Sequence, residues 1–478
     1  MNISDPIRYF ARIQPEARAV IRDNGVGVSF ARLDRLIDAT ATVLPEFGIR
    51  AGTVAGLAIA GADQFPGLVT ALALARLGAV SADMGLGATH MNLRIAEPGG
   101  PPGPDVPRID NAEIWMRAQH AAASAAPVPS HQDGAAPCRI FASSGTTGSA
   151  KFMPVSHDQA MARALSVLLT PDGAGESRMC LAGLGVVFGY TMALCTLAGG
   201  GALVLSTNLS HALAAIRSGQ VARLVLAPVV LGKLLEMTPP DARPAPGLRA
   251  VEFAGSTLPE PVRLLTEQRL CPNLISLFGS SEAGTVAVAP LAALGGEPLA
   301  VGFVVPGVEV AAVDDQGRPL PAGQEGVLRV RSHMVAAGYI GSGGAADAFR
   351  DGWFYSGDIG TVSADGMVRL VGRVGEVINA GGEKVIPQVV EDVLLSVPQV
   401  TDAAAFGVPD AAGVVQIWGA IAAPRPLPAD ALTALCREKL RSRAPKVILQ
   451  FPQLPRNANG KLRREELVKA AIATGRSG

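Results

Sequence analysis

Two lysines stand in settings suited to handling phosphate. In the run FASSGTTGSAK at 141–151, Lys151 closes a loop of small hydroxyl and glycine residues. Ser143, Ser144, Gly145, Thr146, Thr147 and Gly148 offer hydroxyls and exposed backbone N–H groups, and the glycines let the backbone approach an anion closely. Lys151 adds a point charge. The spacing is not that of a Walker loop, which needs GxxxxGK followed by Ser or Thr. Near the other end, Pro455-Arg456-Asn457-Ala458-Asn459-Gly460-Lys461 places a lysine just after a glycine, in a polar turn whose only other charge is Arg456. The two lysines lie more than half the chain apart. That separation predicts a nucleotide site assembled from two domains: one loop cradles phosphates, and the other delivers a cation that can be brought in or withdrawn.

Three further motifs lie between them. Leu277-Phe278-Gly279-Ser280-Ser281-Glu282 follows an apolar strand, placing it at a strand's carboxyl end, where open α/β sheets hold ligands. There Phe278 can offer a flat face to a purine, and Glu282 an oxygen ligand to Mg²⁺, which keeps its substrate phosphates. Tyr355-Ser356-Gly357-Asp358 reads as a tight turn followed by a carboxylate suited to a ribose diol. In GRVGEVINAGGEKVIPQVVEDVL (372–394), Arg373 is within reach of a ribose or phosphate. Gly381 and Gly382 leave room for a slim chain to pass over the backbone, and Pro387 suits the first turn of a helix. Taken singly, each of these is an ordinary turn or strand end; their order and spacing give them weight.

The elements that must position these residues alternate. Ala19–Ile21 and Val26–Val28 read as a hairpin, Ser29 as the cap of a helix toward Leu44, Val54–Ala60 as a strand, Gln64–Leu77 as a helix and Ala79–Ala82 as the next strand. Residues 86–137, with GGPPGPDVP and AAASAAPVPS, read as linker. Cys138–Ala142 is a strand running into the phosphate loop, and Ser156 with Gln159 forms a capping-box pattern for a helix through Leu169. Strands are expected at Val221–Ala227, Ala250–Phe253 and Leu274–Leu277, then a β-rich stretch from Gly302 to Ser332. Beyond Arg373 the pattern is helix (Pro387–Leu395), strands (Ala403–Val408 and Val415–Ala422) and helix (Ala429–Leu440). The fold class is α/β: a large N-terminal domain of mixed sheets with a β-rich subdomain over 1–372, and a small mobile α+β domain over 373–478.

Composition narrows the function. The 478 residues suffice for two or three domains, 49% are hydrophobic, and 41 basic residues balance 41 acidic ones. Zero net charge argues against a broad nucleic-acid footprint but leaves room for one positive pocket. Cys138, Cys180, Cys195, Cys271 and Cys436 are scattered without a CxxC pair, so neither a disulfide framework nor a zinc site is expected, and a reducing cytoplasm fits. The N-terminus has no continuous apolar core and is not read as a secretory signal. The stretch Met179–Ile216 imitates a membrane span but is broken by Gly199-Gly200-Gly201, and reads as a buried helix followed by the strand Ala202–Leu205.

In this order and at these separations, the four motifs and the terminal lysine turn resemble the adenylate-forming superfamily, over residues 15–470 and most thinly across 86–137. The resemblance implies two steps: a carboxylate attacks the α-phosphate of ATP to give an acyl-adenylate, then a thiol takes the acyl group and AMP leaves. It implies Mg²⁺, with ATP and CoA as co-substrates. By motif match, the catalytic residues are Lys461, Glu282, Thr146 and Lys151. The nucleotide falls to Ser143, Ser144, Gly145, Thr147, Gly148, Gly255, Ser256, Phe278, Gly279, Ser281, Asp358 and Arg373, and the metal to Glu282. The acyl pocket is assigned to Val186, Phe188, Gly189, Ala254, Gly255 and Ala283, apolar or small residues that suit a neutral aliphatic or aromatic acid. Gly381 and Gly382 would line a CoA tunnel. The C-terminal domain of the superfamily rotates between the steps; its hinge position is Gly375 here, in place of an acidic residue or lysine.

GGEKVIP looks like the CoA-ligase branch, and no carrier domain follows in this chain. Two other readings stay open: an adenylating enzyme that passes the acyl group to a carrier-protein phosphopantetheine or an amine, and a degenerate nucleotide-binding protein that is not an enzyme. Departures from the family pattern are Ala150-Lys151-Phe152 for Pro-Lys-Gly, Val327 within the usual Gly-Glu-Leu, and Val186 where relatives carry His or an aromatic. His157 matches the family and reads as structural.

Overall fold

A computed structural model describes the chain apart from residues 60–62, 97–102, 144–150, 169–173, 298, 342–347, 381–382, 411–412, 457–461 and 474–478. The first strand–helix–strand run forms a six-stranded sheet in the order Arg108–Asp110, Leu93–Ala96, Val54–Leu57, Val80–Ala82, Pro137–Ser143, Lys151–Ser156. All its pairings are parallel except the last, where Pro137–Ser143 turns back on Lys151–Ser156 through the phosphate-loop segment. The helix Phe65–Leu77 is buried along almost its whole length, as a helix between layers must be, and ends on Gly78 in the left-handed region. Residues 86–137 correct the linker reading: they hold two of the sheet's strands and the helix Asn111–Ala121, capped by Asp110. Proline- and alanine-rich flanks masked strands only three and four residues long.

A second, larger sheet runs from parallel to antiparallel. Arg18–Ile21, Leu203–Val204, Arg178–Cys180, Arg223–Leu226, Ala250–Ala254 and Leu274–Ser280 pair in parallel. From Leu274–Ser280 onward the pairing is antiparallel, through Gly284–Pro290, Ala300–Val304, Met367–Arg373, Trp353–Val362, Gly326–Ser332 and Val308–Val313. This is the expected β-rich region, continuous with the parallel sheet. The membrane-like stretch resolves into strand, helix Val187–Ala198, strand and the helix Leu209–Arg217, the first helix being buried on nearly every face. No helix among the described residues is long and apolar enough to cross a membrane.

The last hundred residues fold around the three-stranded sheet Asp402–Pro409, Val415–Ala422, Val447–Phe451. Its side chains alternate with period two, as a sheet covered on both faces requires. Ala403, Ala405, Ile417 and Ile421 pack with Val390 and Leu394 of helix Pro387–Leu395 and with Leu432 and Cys436 of helix Ala429–Leu440. Ala404, Phe406, Trp418 and Ala420 pack with Leu467 and Ala471 of helix Arg464–Ala473. Both faces have their own apolar cover, which is what a separately folding unit needs.

Candidate active site

The site is built where the parallel part of the large sheet gives way to the antiparallel part. Strand Ala250–Ala254 ends beside strand Leu274–Ser280, with Ala254 opposite Leu277. The strand end leading into Gly255-Ser256 therefore adjoins the strand that carries Phe278 and Gly279. Gly255 has φ +93°, open to glycine without strain. Gly279 has a different constraint: a Cβ there would stand 2.1 Å from the Gly284 carbonyl oxygen, so only glycine closes the turn that carries Ser281 and Glu282.

That turn is gripped from a helix. Ser156 and Gln159 form the expected reciprocal cap: the Ser156 N–H donates to Gln159 Oε1 (3.0 Å) and the Gln159 N–H to Ser156 Oγ (3.1 Å). One turn later comes Arg163, 1% exposed. It donates Nη1 to the Ser281 carbonyl (3.0 Å), Nη2 to the Glu282 carbonyl (3.0 Å) and Nε to the Met334 carbonyl (2.9 Å). Burial pushes its guanidinium down to about 10, partly offset by Glu282. Gln159 also donates to the Val335 carbonyl (2.7 Å), and the Ala336 N–H to the Glu282 carbonyl (2.9 Å). The Tyr339 hydroxyl donates to Glu282 Oε1 (2.8 Å), while Lys151 Nζ lies 5.1 Å from the centroid of the Tyr339 ring, a cation–π contact. Tyr339 thus stands between the phosphate-loop lysine and the carboxylate assigned to the metal.

Sequence reasoning passed over Arg163 and Tyr339. The signal for Arg163 was its spacing: Ala160, Arg163, Ala164 and Val167 share the buried face of helix His157–Leu168. Tyr339 carried no comparable signal.

Asp358 is placed differently from expectation. Tyr355-Ser356-Gly357-Asp358 is not a turn but lies inside strand Trp353–Val362. Gly357 there has φ +74°, and the register against Gly326–Ser332 jumps, with Val327 opposite Ile359 but Arg329 opposite Tyr355. A bulge re-aims side chains as a turn would, which is why the motif resembled one. Asp358 faces Arg373 across the neighbouring strand and accepts from its Nε at 2.5 Å. Burial opposes the Arg373 charge, but Asp358, then Glu376 and Glu282, more than offset this and raise its pKa. Glu282, Arg373 and Asp358 thus share one electrostatic neighbourhood.

Of the acyl-pocket residues, Phe188 and Ala254 are partly buried against the same core as Tyr339. Val186 is the N-terminal residue flanking helix Val187–Ala198. Gly189 lies in its first turn, where a Cβ would stand 1.8 Å from the Gly183 oxygen. Ala283 is 1% exposed and sits in an apolar cluster with Val286, Met334 and Phe354, as core rather than open wall.

Ser144, Gly145, Thr146, Thr147, Gly148, Gly381, Gly382 and Lys461 lie outside the described residues. Their flanks are placed. Ser143 opposes Lys151, and Ala380 opposes Glu383. Arg456 bridges to Leu462 and is held bidentately by Asp402, at 3.0 and 2.7 Å.

Fold and site together define a two-part nucleotide enzyme, and the comparisons give it a family. The model of the AMP-binding enzyme family matches residues 101–340, and that of the AMP-binding enzyme C-terminal domain matches 389–461. Feruloyl-CoA synthase from Amycolatopsis sp is 28% identical, with 97% of each chain covered. Sulfoacetate–CoA ligase from Cupriavidus necator is 30% identical over 74% of this chain and 71% of its own. Among solved structures, o-succinylbenzoate CoA synthetase (MenE) from Bacillus subtilis with its acyl-adenylate gives a TM-score of 0.83 at 21% identity, covering 97% of both chains. ATP-bound MatB from Rhodopseudomonas palustris gives 0.84 at 22%, over 98% of this chain and 99% of that one. The chain belongs to the AMP-binding enzyme family, in its acyl- and aryl-CoA synthetase branch. It is an AMP-forming acid–CoA ligase.

Proposed function

We propose that this ligase activates a neutral aliphatic or aromatic acid, with Glu282, Lys151, Asp358, Arg373 and Lys461 dividing the work. A carboxylate oxygen of the acid bonds to the α-phosphorus as the bond to the bridging oxygen breaks and pyrophosphate leaves. The thiol sulfur of CoA then bonds to the acyl carbon, the bond to AMP breaks, and the thiol proton passes to solvent. The first step brings an anion toward a polyanion, so its barrier is set by how well fixed cations offset the charge.

Lys151 suits the β- and γ-phosphates, and Asp358, fixed by Arg373, the ribose diol. Phe278 and Ala254-Gly255-Ser256 flank the adenine, and Lys461 bridges the acid and the α-phosphate. The donor set fits Mg²⁺: Glu282, with Oε1 accepting from Tyr339, offers a hard carboxylate oxygen at the end of the turn. That suits a cation which takes its other ligands from substrate phosphates and water. When bound, the ion neutralises phosphate charge. Phe188, Val186 and Ala254 bring no charge to pair with an amine or a second carboxylate on the acid, which supports a neutral acyl group. The run GGEKVIP at 381–387, which looks like the CoA-ligase form of this segment, favours free CoA as acceptor over a carrier-bound thiol. The five free cysteines suit a reducing cytoplasm.

The observation that carries this reading is the convergence of Lys151, Tyr339 and Glu282 beside the turn that follows strand Leu274–Ser280. ATP–pyrophosphate exchange across a panel of carboxylic acids tests it, followed by thioester formation with free CoA and with carrier protein. Exchange with neutral acids and transfer to CoA are expected. Lys461→Ala should slow adenylation by about 10²–10³ while sparing transfer from preformed adenylate. Exchange with no acid, or undiminished adenylation in Lys461→Ala, overturns it.

A further inference from the structure

We propose that Arg163 and Tyr339 are positioning residues which together clamp Glu282, Arg163 through the main chain and Tyr339 through the carboxylate, and thereby set the affinity for the metal–nucleotide. The inference deepens the reading of Glu282 as the metal carboxylate and rests on it.

Glu282 lies in a tight turn after Gly279, and such a turn, with one long side chain at its tip, has many arrangements open to it. Two independent restraints remove them. The guanidinium of Arg163 satisfies three carbonyls at once, those of Ser281, Glu282 and Met334. An arginine's planar fork can do this with one rigid group; a lysine brings a single point charge. The donor is also expensive to bury, and it has no ion pair among the described residues. A buried cation spent entirely on backbone carbonyls secures the geometry of those carbonyls. The second restraint acts at the other end of the residue, where the Tyr339 hydroxyl occupies Oε1 of Glu282. Among the described residues nothing donates to Oε2, which is left for a ligand.

The clamp also joins the two halves of the phosphate site. Arg163 and Gln159 sit on the helix that follows the strand of Lys151, and the face of the Tyr339 ring lies against Lys151 itself. A displacement of the lysine strand therefore reaches Glu282 through both the helix and the ring. Second-layer groups that orient a metal ligand characteristically change metal affinity by about 10–100-fold.

Nucleotide binding, measured calorimetrically without acid, separates this proposal from the ligase reading, because it needs no turnover. Affinity for MgATP and for metal-free AMP is compared in the parent, Arg163→Gln, Arg163→Lys and Tyr339→Phe, each also combined with Glu282→Gln. In Arg163→Gln, MgATP binding is expected to weaken about tenfold. Arg163→Lys should recover only part of this, and AMP binding should stay within about twofold. Tyr339→Phe deletes one hydroxyl, keeps the ring against Lys151, and should show a smaller loss of the same selectivity; it keeps the test alive should Arg163→Gln fail to fold. In the Glu282→Gln background, none of the three substitutions should weaken MgATP binding further. Equal losses for MgATP and AMP, unchanged MgATP binding in Tyr339→Phe, or losses that persist without the Glu282 carboxylate would each overturn the clamp.

Discussion

The carboxylate proposed to accept from two ribose hydroxyls, Asp358, is useful only if it cannot turn away, and the structure shows how it is fixed. It projects from a bulged strand, is almost wholly buried, and spends one oxygen on Arg373 Nε. Arg373 is about a third exposed (34%), so solvent screens part of the pair's attraction. Replacing Asp358 with Asn keeps the shape and removes the charge. The expected cost to stability is small, about 1 kcal/mol after screening. The expected cost to ATP use is larger: losing a charge-assisted acceptor should raise the ATP KM about tenfold. 2′-Deoxy-ATP makes the experiment specific. The parent should discriminate against it, and the Asn variant should discriminate far less, because the partner of the missing hydroxyl is already weakened. Equal discrimination in both would remove Asp358 from the ribose.

Among the elements, helix His157–Leu168 does the most for the site and carries the clearest pH dependence. Its first residue, His157, is fully buried and accepts from the Ile3 N–H at Nδ1 (3.2 Å), while the terminal amine of Met1 meets Asp158 (2.8 Å). Burial, with nearby His131 and the amino terminus adding to it, lowers the imidazole from 6.5 to about 4. Above pH 6.5 His157 is neutral in both folded and unfolded chains and pH has no grip on it. Between 6.5 and about 4 the unfolded chain takes up a proton that the folded one refuses, so stability falls as pH falls, by at most about 3 kcal/mol. The opening of residues 1–4, read as hydrogen exchange relative to the intrinsic amide rate at each pH, should therefore rise from pH 6.5 toward 4. His157→Asn, which keeps an acceptor for Ile3 but cannot titrate, should flatten that rise. Parallel pH profiles in parent and variant would end the assignment. The helix also marks how far the sequence could be read. Its cap was legible because a capping box is local chemistry, and Pro387–Leu395, Val415–Ala422 and Ala429–Leu440 were legible to the residue for similar reasons. Three things were not: the short strands within 86–137, the bulge that mimics a turn before Asp358, and the grip of Arg163 on Ser281, Glu282 and Met334. Each depends on partners distant in sequence, and a single chain's local pattern does not name them.

At the scale of the whole molecule, the ion pairs that tie the small C-terminal unit together bear on the proposed hinge at Gly375. Arg464 joins Glu376 (2.9 Å) to the buried Glu391 (2.7 Å) and donates to the Ala405 carbonyl (3.1 Å). Arg456, on the other flank of the lysine segment, is held by Asp402. Both flanks of Lys461 are thus anchored to one strand, Asp402–Pro409, and Glu376 is anchored with them. On the proposal that this unit rotates, its tie at Glu376 puts the pivot in the short turn Val374–Glu376 before that residue's side chain is fixed, and Gly375 is the residue there with the freest backbone. A Cβ at Gly375 would meet nothing within 4 Å, so its glycine is not required by packing. Gly375→Asp, restoring an acidic residue, should leave both half-reactions within about threefold of the parent. Gly375→Pro fits a short helical turn but fixes φ near −65°, and so should hold the unit in one orientation. Adenylation should then survive, while thioester formation from preformed acyl-adenylate should fall about tenfold or more, because the proposed rotation between the two steps is impeded. Single-turnover measurement of each step decides it. Loss of both steps would mean that Gly375→Pro distorts the site, and loss of neither would place the axis of rotation elsewhere than Gly375.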